Sequence, residues 1–137
     1  MNCELIRAGY TILVGVAMLG LWGMFYATGQ IPELTTAPYE IGYHLAAETL
    51  TALALVTAGV GLFRRHAWAW RLYPVALGML LYTVTNSAGY YAQLGEIAMV
   101  GMFTVLTAAT LLLIIDYLTG RTRMSSRKST QRVDLDA

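Results

Sequence analysis

Apolar positions fall in four long blocks separated by short polar interruptions. No charged residue stands between Arg7 and Glu33, between Arg71 and Glu96, or between Glu96 and Asp116, and Pro38 to Phe63 carries only Glu40 and Glu48. Each window approaches or exceeds the roughly 20 residues that a helix needs to cross hydrocarbon. The runs do not alternate apolar with polar residues as a barrel strand would, and lipid admits only helices or closed barrels. The pattern therefore predicts helical spans at about 8–28, 38–63, 71–91 and 96–118. The expected fold class is all-α, an integral membrane four-helix bundle over residues 1–120. The first block has an apolar core longer than the roughly 7–15 residues of a secretory signal, and no small-x-small cleavage site follows, so it is expected to persist as a helix.

Composition supports this reading: 57% of the 137 residues are hydrophobic and 12% charged, against roughly 25% charged in soluble domains. Charge then sets the orientation. All nine Lys and Arg residues fall on one side of the four-span reading: Arg7, then Arg64, Arg65 and Arg71, then Arg121, Arg123, Arg127, Lys128 and Arg132. The positive-inside rule puts that side in the cytoplasm, with both termini, and predicts a multi-pass protein of the cell membrane. The connections "TGQIPELTTAP" and "NSAGYYAQLGE" fall outside, with Tyr39, Tyr43, Tyr90 and Tyr91 at an interfacial level. "RRHAWAWR" reads as an anchor in the inner headgroup region. From residue 121 the chain turns polar and basic, and 121–137 is expected to be a disordered cytoplasmic tail. That tail has no aromatic residues for base stacking, which sets nucleic acid aside.

Candidate chemistry lies inside the second span. Glu40, His44 and Glu48 recur at intervals of four, which places them on one helical face as a slanted polar stripe. At about 1.5 Å per residue, His44 lies ~9 Å and Glu48 ~15 Å below Pro38. An ionised carboxylate at such depth costs at least ~2.5 kcal/mol, so Glu48 is expected to be neutral, paired or turned to a wet cavity. The two ends of the stripe are ~12 Å apart, too far for one metal ion with ligands at ~2.0–2.2 Å. Asn86 and Tyr82 on the third span, Tyr90 at its end, Trp22 and Tyr26 on the first, and Glu96 before the fourth reach comparable depths and are the candidate walls of a pocket. Asp116 is expected to pair with arginines of the tail. Gly15, Gly20, Gly23, Ala54, Ala58, Thr104 and Ala108 read as close-packing positions.

Cys3 is the single cysteine, which excludes an intramolecular disulfide and any Cys-x-x-Cys pair. No dinucleotide fingerprint, phosphate loop or haem signature is present, so no cofactor is encoded by motif.

Two stretches resemble known families. "AETLTALALVTAGVGLFRRHAWAWRLYPVALGMLLY" resembles the DoxX-like small four-helix membrane proteins, through Glu48, Gly61, Leu62, Phe63 and Arg65. That resemblance implies a link to membrane redox systems, with a quinone as the partner cofactor. "HLAAE" is similar to the His-x-x-x-Glu of the emopamil-binding family, which implies that His44 and Glu48 handle protons around a sterol-like intermediate.

Three functions follow as expectations. The first is an outward-accessible pocket for a small lipophilic or cationic molecule, with Glu48 as anchor and His44 as its partner. The second is a membrane enzyme or redox accessory, lipid isomerase-like or quinone-linked, with His44 and Glu48 as the catalytic candidates. The third is a structural subunit of a membrane complex. The lipid bilayer is the one fixed partner, while a homo-oligomer, a partner subunit and enzymatic activity stay open.

Overall fold

The computed structural model describes the backbone of residues 2–29, 31 and 33–135, and the side chains of 4–29, 31 and 33–120. Among these residues the chain is all-helical: α1 (Asn2–Ala27), α2 (Glu33–Thr36), α3 (Pro38–Phe63), α4 (Ala69–Gln93) and α5 (Ile97–Leu135). Three helices are long and apolar enough to cross a membrane, over Glu4–Ala27, Pro38–Phe63 and Ile97–Gly120, which is consistent with a membrane protein. The expected third span is present as α4 but is not among the three. Its 25 residues reach about 37 Å, yet it carries Arg71, three tyrosines beyond Tyr73, Asn86 and Gln93. The single turn α2 was not anticipated in a loop bounded by glycine and proline. The backbone of α5 is helical to Leu135, past the expected end at 118, and no glycine or proline interrupts 121–135. The side chains of 121–137, assigned to an unfolded tail from sequence, lie outside the described residues.

Local chemistry sets the helix ends. Pro38 opens α3 in its first turn, where a missing N–H costs nothing. Two helices close with the same motif. At the end of α4, Gly95 takes φ 74°, its N–H donates to Ala92 O and the Glu96 N–H to Tyr91 O. At the end of α3 the equivalent position is Arg65, at φ 57°, with Arg65 N–H to Leu62 O and His66 N–H to Gly61 O. Both are Schellman closures, which favour glycine at the left-handed residue.

The long helices lie side by side in chain order, α1 against α3, α3 against α4 and α4 against α5, with α2 on α3. Glycine sets the closest approach. A Cβ on Gly15 would meet Ala52 O and Val56 Cγ2 at 2.8 Å, and one on Gly59 would meet Thr11 Oγ1 at 2.5 Å and Ile12 Cγ1 at 2.6 Å. Of the expected packing positions, Gly15 serves this contact and Ala58 is buried in the core, whereas Gly20 and Gly23 face open space and Thr104 and Ala108 are exposed. The core runs along α4, where Tyr73, Leu77, Leu80 and Val84 are buried at alternating intervals of four and three against α3 and α5. Large apolar side chains such as Leu13, Val105 and Leu112 point outward at 67–70% exposure, as lipid requires and water does not.

α1 and α5 are bridged by polar side chains between the start of α1 and the end of the apolar part of α5. Arg7 Nε donates to Asp116 Oδ2 at 3.0 Å, the guanidinium lies 5.4 Å from the Trp70 ring centre, and Tyr10 Oη meets Thr110 Oγ1 at 2.8 Å. Asp116 pairs with Arg7 because the antiparallel helices bring the start of α1 to the end of the apolar part of α5; the side chains of the tail arginines expected to pair with it lie outside the described residues. Beside them Pro74 interrupts α4. Having no N–H, it leaves the Trp70 carbonyl without its helical donor, and Tyr117 Oη on α5 donates to that oxygen at 2.9 Å. The proline defect is thereby converted into an interhelical bond.

Two outcomes test this packing by thermal unfolding in mild detergent. Tyr117→Phe should destabilise by about 1–3 kcal/mol through the orphaned carbonyl, and Pro74→Ala/Tyr117→Phe should recover most of the loss, since the restored N–H at position 74 takes the same oxygen. Gly59→Ala should cost about 1–3 kcal/mol by forcing α1 from α3, while Gly78→Ala, with nothing within 4 Å, should be neutral or slightly stabilising.

Candidate functional site

The stripe on α3 divides on folding. Glu40 stays exposed, the His44 side chain is 32% exposed, and Glu48 is buried at 7% residue exposure. The α1–α3 register set by Gly15 and Gly59 brings Trp22 level with Glu48. The indole Nε1–H donates to Glu48 Oε2 at 2.8 Å, and His44 Nε2 faces the other carboxylate oxygen, Oε1, at 3.6 Å. Trp22 and His44 meet edge to face with ring centres 5.7 Å apart, and Phe25 also meets the indole edge to face, at 6.0 Å. Of the states expected of Glu48, neutral, paired or turned to a wet cavity, the structure shows a carboxyl group hydrogen-bonded by a donor from another helix. That group is only half satisfied, because 3.6 Å exceeds hydrogen-bond range.

The other candidates do not converge on this point. Tyr26 and Tyr82 are each 71% exposed, and Asn86 and Glu96 are exposed as well. Tyr90 turns instead to α2, where its hydroxyl donates to Glu33 Oε1 at 2.9 Å. The buried face of α4 at this depth is formed by Thr83, Val84 and Ser87, which rotates Asn86 outward. Tyr91 lies within electrostatic reach of Glu33, Glu48 and Glu96, and its ring stacks on Phe103 of α5 at 5.6 Å. Tyr91 is the residue that sequence reasoning passed over, having assigned it to an interfacial belt. The signal was present: Tyr91 continues the four-three spacing of Leu77, Leu80, Val84 and Ser87.

Chemically, the cluster offers an acceptor at Glu48 Oε1, an imidazole that can donate or accept, and an aromatic flank from Trp22. Among the described residues no three His, Cys, Asp or Glu side chains gather closely enough to hold a metal ion. Within the cluster the indole bond is the element most open to test. Trp22→Phe keeps the ring but removes the donor, and should lower stability by about 1–3 kcal/mol, the cost of leaving a buried acceptor unsatisfied. Adding Glu48→Leu to Trp22→Phe should restore part of the loss, since no acceptor is then left buried. A loss no greater than that of Trp68→Phe, at an exposed position, would show that the bond contributes nothing.

No curated protein and no solved structure matches the chain. A family model does, over residues 1–130. With nearly its whole length matched, the chain belongs to the family described as Domain of unknown function (DUF8058).

Proposed function

We propose that this is a four-span membrane protein with both termini in the cytoplasm, whose Trp22–His44–Glu48 cluster binds a small lipophilic molecule reached from the outer side. The observation that carries the reading is Glu48 itself. It is a nearly buried carboxylate on an apolar helix, held by one donor and facing an imidazole across a gap too long for a hydrogen bond. Helix register can be fixed with Asn or Thr at lower cost than with a carboxylate and an imidazole. α4 supports the fourth span because it packs between α3 and α5. The positive-inside rule supplies the orientation.

The His44–Glu48 dyad also suits proton transfer on the bound molecule, the chemistry implied by the likeness of "HLAAE" to the emopamil-binding family. Turnover of a retained molecule would favour that reading over binding alone.

Native mass spectrometry of protein purified in mild detergent tests the site. Wild type should retain a small molecule that His44→Ala/Glu48→Gln loses. If both come out empty and equally stable, the cluster is register glue and the binding reading fails.

A further inference from the structure

We infer that the molecule held at Glu48 presents a hydroxyl group, which bridges Glu48 Oε1 and His44 Nε2, and carries it on a lipophilic body. The inference rests on the reading of Trp22, His44 and Glu48 as a binding site. It starts from how the carboxylate is divided. Oε2 is committed to the Trp22 N–H at 2.8 Å, whereas Oε1 makes no hydrogen bond among the described residues and has only the His44 Nε2 opposite it at 3.6 Å. The Glu48 side chain is 9% exposed, so water cannot surround this oxygen as it would at a surface.

The imidazole opposite Oε1 is nevertheless open to solvent. Among the described residues, the Tyr73 hydroxyl is the buried polar side-chain atom that is both sealed from solvent and without a partner. Glu48 Oε1 is not in that condition, and the imidazole beside it is one-third exposed. The open quarter of the site is therefore the side on which His44 and Oε1 face each other.

A group seated there must satisfy both neighbours. A hydroxyl donates to one and accepts from the other, and it does so in both arrangements that leave one proton between the pair: carboxylate with Nε2–H, or carboxylic acid with bare Nε2. An ammonium only donates, and so opposes an imidazole N–H. A ketone only accepts, and so opposes the carboxylate. Normal hydrogen bonds from one oxygen to both atoms, ~2.7–2.9 Å each, require the pair to open by roughly 1 Å, a movement available to the partly exposed His44 ring. A hydroxyl also reproduces the contacts of any water it displaces, so displacement costs little. The depth of Glu48, ten residues into α3 or about 15 Å, requires the rest of the molecule to be apolar.

Three probes with matched chains separate the alternatives: 1-dodecanol, dodecylammonium and 2-dodecanone. Each is titrated into the purified protein in mild detergent and followed by tryptophan emission and thermal stabilisation, with every variant referred to its own unliganded state. Wild type should bind dodecanol at least tenfold more tightly than either other probe, where tenfold is 1.4 kcal/mol, and Glu48→Gln and His44→Ala should each abolish that preference. If dodecylammonium or 2-dodecanone binds as tightly as the alcohol in wild type, and the variants weaken it, the site stands and the hydroxyl assignment is overturned. If all three probes act alike on wild type and both variants, the site reading falls and the hydroxyl with it.

Discussion

Glu48 sits in a helix with no other charged residue between Glu40 and Arg64, at a depth where an uncompensated carboxylate would oppose insertion. A donor from another helix meets this constraint. The Trp22 N–H reaches Glu48 from α1, and it can do so only because α1 and α3 approach closely along the intervening turns. That approach depends on Gly15 and Gly59, one on each helix, where a methyl group would collide with backbone or side chain across the contact. In lipid the apolar effect gives helices no reason to associate, so close packing and interhelical hydrogen bonds must supply it. The two glycines and the indole bond are thus parts of one device: packing fixes the register, and the register places the donor.

At the opposite end the same problem is solved with different chemistry. Pro74 frees a carbonyl inside α4, and Tyr117 donates to it from α5. Trp70 stacks on Tyr117 with ring centres 6.4 Å apart, and Arg7 lies over Trp70 while pairing with Asp116. Three helices are joined through a single aromatic stack. Because α1 and α5 meet through long side chains rather than through backbone contact, this joint closes the arc of helices at the end where the chain's cations gather.

Much of the helical plan was legible in sequence because charge is so unevenly spread: α3 begins and ends where the apolar window does, and α4 differs from its expected span by two residues at each end. Facing was harder to read. A window says that a segment is apolar, but in lipid an exposed face is as apolar as a buried one, so the usual contrast between core and surface is missing. Asn86 and Tyr82 were chosen for depth and polarity, yet the phase of α4 turns them outward and brings Ser87 and Tyr91 round instead. His44 and Glu48 were legible because their spacing is local to one helix. Their tie to Trp22 depends on which helices pack together and in what register, which windows do not encode. The close approach of Gly15 to Ala52 and Val56, and of Gly59 to Thr11 and Ile12, carries that information, and Gly59 was not distinguishable from the other small residues of α3.

The two polar clusters differ in a way that bears on their roles. At the Arg7 end the charges face each other directly, Asp116 has Arg7, and the freed carbonyl has Tyr117. The unpartnered Tyr73 hydroxyl there is sealed within packed side chains, where no ligand can reach it, and its cost is borne by the surrounding packing. At the Glu48 end the carboxylate has one oxygen bonded and one open, beside an imidazole that remains partly accessible. A fully satisfied network rigidifies a bundle, and a half-satisfied one is unfavourable unless something completes it. A partly accessible, incomplete pair of hydrogen-bonding groups in an otherwise apolar helix is the feature on which the proposed binding role rests.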